Sequence, residues 1–339
     1  MAARTILTLG EVANRCILSN VQCCKPKLYL HDTYKQTRGF KRLRNEIKNT
    51  EQLFQNASVD VASATRPNVW KPLSFTILFS GTTIVAATIM EYEKIRAQSL
   101  MLINRYRNYR VHRTGWRQEM RLWWMSLTDG QRVFAYICFL NVLVTLAWRI
   151  PVLKNTMLQY FCANPASRAL CWPMLLSTFS HHSFLHLALN MYVLHSFSSI
   201  AVASMGKEQF LAFYLSSGVV ASFASHVYKV MLRIQGPSLG ASGAVMGILG
   251  YVCVQYPDTR LSIVFLPVYT FTAGMAIKAI MGIDLAGCLL GWKFLDHAAH
   301  LGGALFGMFW QAWGSANIWQ KREPILSMWH ELRGPPRSN

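Results

Sequence analysis

Long apolar runs alternate with short polar stretches along most of this chain. A membrane helix needs roughly 20 apolar residues, and a charge at its centre costs about 2.5 to 3.5 kcal/mol on insertion scales, so charge-free runs indicate where spans lie. Seven spans are predicted, although Lys278 and Asp284 interrupt the sixth and the second is short. The predicted spans are 72–90, 133–148, 183–205, 209–228, 239–255, 261–290 and 297–320.

The predicted spans are unevenly spaced. A long basic stretch separates the first from the other six, whereas short turns join several later ones. This organisation predicts an all-α membrane protein with a six-helix core and one extra N-terminal transmembrane helix. The expected segments are an N-terminal region at 1–70, the extra helix at 71–91, a basic linker at 92–131, the core at 132–320 and a tail at 321–339. No internal repeat is evident, which argues against a transporter built from duplicated halves.

Composition supports a bilayer protein. The chain of 339 residues is 52% hydrophobic and 14% charged, which is too apolar for an ordinary soluble enzyme. Lys and Arg number 34 against 15 acids, but they crowd the first segment and the loops beside apolar runs. That placement suits targeting and anionic membrane lipid, and we expect no nucleic-acid partner. Residues 1–45 are acid-poor and contain Arg without an apolar core, which predicts a mitochondrial presequence, with a disordered basic tail as the alternative.

The cysteines and histidines do not form an obvious metal site. Eight cysteines occur without a CxxC pair, and Cys162 and Cys171, which share one loop, are expected to be free thiols rather than a disulfide. No HExxH motif is present. Five histidines could contribute to a metal site, but no carboxylate or cysteine is obviously arranged to complete it, so no cofactor is expected. They are His181, His182, His186, His297 and His300.

Three polar clusters fall inside predicted spans, where polar groups are expensive. In HHSFLHLALN, His186 and Asn190 are four residues apart and share one helical face. Hydrogen-bond donors on one face can stabilise a developing oxyanion. Hydrogen bonding between helices is the structural alternative.

The second cluster, GASGAVMG, contains Ser242. Gly236 and Pro237 block helix continuation and Gly240 offers a flexible entry, which predicts a helix that begins near Ser242. The N–H groups in the first turn of a helix are unpaired and positively polarised, so this serine would lie beside oxyanion donors. The glycines of this cluster also predict close helix packing, and both interpretations can hold together.

The third cluster, DHAAHLGGALFG, opens the last span with His297 and His300, followed by Gly303 and Gly307. If its glycines pack on those of the serine helix, His300 lies beside Ser242 and can act as a general base. A buried histidine paired with a carbonyl or with Asp296 is the structural alternative. Together the clusters supply a nucleophile, a base and oxyanion donors, which predicts hydrolysis within the membrane.

These motifs resemble those of the rhomboid intramembrane serine proteases. That family carries His-x-x-x-Asn, Gly-x-Ser-Gly and Ala-His-followed-by-glycine motifs on separate core helices, which here are His186 to Asn190, GASG and AHLGG. The resemblance implies Ser242 as nucleophile and His300 as general base and acid. It also implies that His186, Asn190 and the Ser242 N–H hold the oxyanion, and that His181 and Gly240 line the cavity.

The extra helix and the presequence-like start resemble the mitochondrial branch of this family, the presenilin-associated rhomboid-like proteases. That resemblance implies an inner-membrane location, single-pass membrane-protein substrates and a part in mitophagy. One departure is that Pro173 follows Trp172, where many family members have arginine.

The sequence leaves three further alternatives. No carboxylate obviously orients His300, and Asp296 is expected to form a peripheral charge pair, so a Ser-His dyad is expected rather than a triad. The leading rival to a protease is a noncatalytic adaptor that binds transmembrane helices. A proton or ion transporter that uses the histidines is the second rival, and its flux would not depend on Ser242.

Overall fold

The computed structural model describes residues 68–105, 115–263 and 266–334, which belong to one compact unit. The predicted presequence and the first three cysteines lie outside these residues. The described chain is mostly helical. Its α-helices are α1 (Trp70–Arg105), α2 (Trp116–Ser126), α3 (Asp129–Ala147), α4 (Lys154–Tyr160), α5 (Cys171–Leu176), α6 (Phe184–Met205), α7 (Lys207–Leu232), α8 (Ser242–Gln255), α9 (Ala273–Leu290), α10 (His297–Phe309) and α11 (Glu323–Arg333). Short 3₁₀ helices span Pro151–Leu153 and Ser177–Phe179, and the π-helix Trp310–Trp319 continues α10.

Five described helices are long and apolar enough to cross a membrane, namely α1, α3, α6, α7 and α9. The apolar α8 is shorter, and α10 reaches a comparable length only together with its π-helical continuation. These seven helices correspond to the seven predicted spans. The predicted class, an all-α membrane protein with a six-helix core and one extra N-terminal helix, is confirmed.

The prediction of one continuous helical span at 261–290 is wrong at its start. An antiparallel hairpin forms there instead, from β1 (Arg260–Ile263) and β2 (Leu266–Thr272), with a register irregularity between Ser262 and Ile263. The segment LPVYTFT is rich in β-branched and aromatic residues, and its proline disfavours a helix interior. The helix of this span starts only after Thr272, whose side chain accepts a hydrogen bond from the backbone N–H of Met275.

The first and last helices are fastened to each other. Helix α1 continues past the predicted end of its span at residue 90, because charged residues end a membrane span without ending a helix. Its Glu91 lies 2.7 Å from Arg322, which precedes α11. Its Glu93 accepts hydrogen bonds from Trp329 and Arg333 of α11, at 3.0 and 3.1 Å. The predicted linker and tail are therefore partly helical.

Glycines bring α8 and α10 into backbone contact, as the sequence predicts. A side chain on Gly303 would collide with the carbonyl oxygen of Gly243, and one on Gly307 would collide with that of Gly247. Because residue numbers rise together along this contact, the two helices run parallel. Their N-terminal ends, which carry Ser242 and His300, therefore lie at the same end of the bundle.

A substitution can test how much this contact stabilises the fold. Gly303→Ala is expected to destabilise the protein by about 1 to 3 kcal/mol, since the added methyl forces two backbones apart. Gly282→Ala on α9 is the matched control, because a Cβ there meets nothing within 4 Å and alanine favours a helix. Thermal unfolding in detergent should show a clear decrease in melting temperature for the first variant alone. Equal melting temperatures would contradict the packing argument.

Candidate active site

The turn before Ser242 is fixed on two sides. Gly240 adopts φ +128°, a conformation that favours glycine, and its N–H donates to the Ser177 carbonyl at 2.9 Å. Upstream, the backbones of Ser238 and Ala163 exchange two hydrogen bonds. Helix α8 then begins at Ser242, as predicted, and the Ser242 residue is half-buried.

The length of α8 determines how deep this serine lies. A helix of 14 residues is about 21 Å long, whereas the hydrocarbon core of a bilayer is roughly 30 Å thick. If α8 ends at one membrane surface, it therefore begins inside the bilayer, below the opposite surface. Ser242 can thus lie within the membrane thickness and still begin a helix, where the first N–H groups have no intrahelical partner.

His186 and His181 pack beneath the turn that leads to Ser242. A Cβ on Gly240 would lie only 2.7 Å from Cε1 of His186, so only glycine permits this approach. The two imidazole rings meet edge to face with their centres 5.0 Å apart, and Nε2 of His181 accepts a hydrogen bond from the Ala241 N–H at 3.3 Å. Burial, together with neighbouring His186, lowers the pKa of His181 to about 3. His181 is therefore neutral at physiological pH, as an acceptor must be.

Asn190 lies one turn after His186 on α6, as the sequence predicts, and is buried. Its side-chain amide donates to the His186 carbonyl of its own helix at 2.9 Å. A primary amide has two N–H donors, so this contact leaves one of them for another partner.

His300 is paired with a carboxylate that sequence analysis did not assign to it. Nδ1 of His300 lies 3.2 Å from Oδ1 of Asp284 on α9, and Nδ1 of His297 lies 2.7 Å from the same oxygen. The expectation that no carboxylate orients His300 is therefore wrong. Asp284 interrupts an apolar span, and the cost of a charge there was the signal that it has a partner.

Asp296 does not play this part. It caps α10 by accepting from the Ala299 N–H at 3.1 Å, and its other oxygen lies 3.5 Å from Lys229 and 2.6 Å from the Ser225 hydroxyl, with Ser238 in contact. Burial raises the pKa of this carboxyl, but Lys229 and the hydroxyls outweigh it and hold the pKa below its usual value. The expected charge pair is thus present, although Lys229 and Asp296 are half-buried rather than peripheral. It joins α7 to the start of α10, and the Ser238 contact connects Asp296 to the turn before α8.

The candidate nucleophile and base lie at the starts of two packed helices, and no hydrogen bond joins their side chains in the described part of the chain. Gly243, next to Ser242, approaches the carbonyl oxygen of Ala299, next to His300. The side chain of His300 is 13% exposed. Catalytic hydrogen bonds are often long in unliganded enzymes and shorten when substrate binds.

The other candidate chemistry is not assembled here. Across the described ranges, no three side chains of His, Cys, Asp or Glu form a group that could hold a metal ion. Cys162 and Cys171 are free thiols. Burial raises the pKa of the Cys162 thiol to about 12, which keeps it unreactive.

Comparison with known proteins supports the motif-based prediction. The rhomboid domain matches residues 168–317. The chain is 50% identical over 275 residues to the human "Presenilin-associated rhomboid-like protein, mitochondrial", covering 79% of this chain and 73% of that protein. It is 32% identical over 189 residues to "Rhomboid protein 1, mitochondrial" of Saccharomyces cerevisiae, which covers 55% of this chain and 54% of that protein. It is 31% identical over 138 residues to "Rhomboid protease GluP" of Bacillus subtilis, which covers 41% of this chain and 25% of that protein. With this identity over most of its length, the chain belongs to the rhomboid family, in the group of presenilin-associated rhomboid-like proteins.

Proposed function

We propose that this protein is an intramembrane serine endopeptidase in which Ser242 is the nucleophile and His300 the general base. The observation that supports this most strongly is the parallel glycine contact between α8 and α10, because it brings the N-terminal ends of both helices together. The Bacillus relative, named a rhomboid protease, supports the same reaction class.

The proposed reaction begins when Oγ of Ser242 attacks the carbonyl carbon of the scissile peptide bond. Nε2 of His300 accepts the hydroxyl proton and then gives it to the leaving amine. Water hydrolyses the resulting ester between enzyme and substrate, with His300 acting again as base. No metal or cofactor takes part in this scheme.

Oxyanion stabilisation is assigned to three groups around the turn. They are the Ser242 N–H, the His186 ring beneath Gly240, and the remaining amide N–H of Asn190. Preorganised donors of this kind are typically worth about 10²- to 10³-fold in rate each. His181 and Gly240 then act as lining groups that hold the turn rather than as donors.

Asp284 extends the expected dyad in this scheme. Its carboxylate accepts the Nδ1–H of His300, which fixes the tautomer of the imidazole with an unprotonated Nε2. It also stabilises the imidazolium that forms when the serine proton is transferred.

Substrate and location follow from the relatives and from the site. The human and yeast relatives are named mitochondrial, and the basic start of this chain is consistent with import. We assign the protein to the mitochondrial inner membrane as a multi-pass enzyme that cuts single-pass membrane proteins within or next to their helix. Membrane lipid is its other expected partner.

A substrate comparison tests the proposal. A helical peptide bond has its carbonyl hydrogen-bonded and shielded, so cleavage requires local unwinding. In liposomes, a single-pass substrate with small residues at the cleavage point and a nearby glycine or proline is expected to be cut at least about tenfold faster than a poly-leucine helix. Equal rates would contradict the unwinding requirement. Binding of both helices without cleavage would instead support an adaptor.

A further inference from the structure

Two histidines share one carboxylate oxygen, and the proposed mechanism uses only one of them. His297 and His300 are three residues apart on α10 and therefore face the same way. Oδ1 of Asp284 lies 2.7 Å from Nδ1 of His297 but 3.2 Å from Nδ1 of His300. The histidine without a catalytic assignment makes the shorter contact.

His297 is also the more firmly held of the two. Its side chain is only 2% exposed, whereas that of His300 is 13% exposed. A Cβ on Gly287 would lie 2.5 Å from the His297 ring, so α9 presses its backbone against the imidazole. The rings of Trp292 and Phe294 approach it edge to face, at 5.8 and 5.2 Å between centres. This cage leaves the ring little room to rotate.

The chemistry of the contact assigns the proton. A carboxylate oxygen can only accept, so Nδ1 of His297 must carry the hydrogen that points at Asp284. Hydrogen bonds with an ionised partner are roughly twice as strong as neutral ones. Oδ2 of Asp284 is buried and has no hydrogen-bond partner in the described residues, so the orientation of the carboxylate depends on what Oδ1 accepts.

We propose that His297 is a positioning residue that holds Asp284 in place and thereby sets the orientation of His300. This inference rests on the proposed function of Ser242 and His300. His297 makes no hydrogen bond to the side chain of Ser242 or His300, although its ring lies edge to face with the His300 ring at 6.4 Å between centres. In this scheme it acts on His300 through Asp284. Its effect should therefore appear in the chemical step and not in substrate binding.

A purely structural role predicts something different. If His297 only filled the space beside Gly287, every smaller side chain would be similarly harmful. Asparagine and glutamine distinguish the two cases, because both replace the ring with an amide group but place the amide nitrogen differently. The amide nitrogen of asparagine can occupy the place of Nδ1, whereas that of glutamine reaches toward Nε2, away from Asp284.

The test compares His297→Asn and His297→Gln in the full-length protein in liposomes. For Asn, kcat for a glycine-containing substrate and the rate of labelling by a fluorophosphonate should stay within about threefold of wild type. For Gln, both should fall about tenfold or more, with KM within about twofold. Equal losses in the two variants, or no loss in Gln, would overturn the proposal.

A second measurement needs no activity. Nitrogen-15 NMR of histidine-labelled Ser242→Ala protein reports which ring nitrogen carries the proton. His297 and His300 are both expected in the Nδ1–H form, and His297→Gln should shift the His300 signals more than His297→Asn does. If the spectrum of the Ser242→Ala protein, which keeps His297, shows the proton on Nε2 of His297, the inference is refuted. If the wild-type protein cleaves no substrate, the proposed function is wrong. The NMR spectrum then decides by itself whether His297 donates to Asp284 and affects His300.

Discussion

Exchanging either Ser242 or His300 for alanine is expected to reduce substrate cleavage on the order of 10⁴-fold or more, which is below detection in most assays. In the proposed mechanism the serine supplies the attacking oxygen, and without the imidazole that oxygen keeps its proton. Because the two groups act as one unit, the double variant should be no slower than either single variant.

The same variants should be compared by fluorophosphonate labelling, which reports nucleophilicity without a protein substrate. Labelling should vanish in Ser242→Ala and fall strongly in His300→Ala. Ser204→Ala is a matched control, because that hydroxyl bonds Tyr251 near the opposite end of α8 and should leave both activities unchanged. Persistent labelling in Ser242→Ala refutes the assignment, and an ion flux insensitive to this change would favour a transporter.

Replacing Asp284 with asparagine should slow cleavage about 10²- to 10⁴-fold while the protein remains folded, since the amide keeps the shape but no longer fixes the imidazole tautomer. The substitution is expected to affect the catalytic step, so most of the decrease in cleavage should appear in kcat. Cleavage of one substrate should be measured over a concentration series together with thermal unfolding.

Asp296→Asn is the matched comparison, and it should leave most of the activity. Asparagine can still cap α10, and the side chain of Asp296 hydrogen-bonds Ser225 and Ser238 and pairs with Lys229, not with the His300 ring. Full loss in Asp296→Asn with normal folding, beside an active Asp284→Asn, would mean that the wrong carboxylate has been assigned to the base.

The sequence predicted α6, α8 and α10, the helices that carry the candidate site, because their signals are local. Gly236, Pro237 and Gly240 indicate where α8 must begin, and the glycine spacing on α8 and α10 indicates which faces pack. Since both helices start at these motifs and their glycines do pack, the helix ends that carry Ser242 and His300 lie at the same end of the bundle.

The role of Asp284 could not be predicted in the same way. Asp296 is four residues from His300 and Asp284 is sixteen, so proximity in sequence pointed only to Asp296, for which a peripheral charge pair was expected, and not to Asp284. The contact depends on how α9 packs against α10, which no short motif encodes. The hairpin before α9 was not predicted, because periodicity alone does not distinguish a short apolar strand from the start of a membrane helix.

The ion pairs between α1 and the segment Arg322 to Arg333 make the first and last described helices depend on each other for stability. Glu91 and Glu93 form ion pairs with Arg322, just before the final helix, and Arg333, on it, so shortening the C-terminus would remove both ion pairs. Affinity tags and truncations intended to isolate the six-helix core would therefore be better placed beyond Arg333 than within this helix.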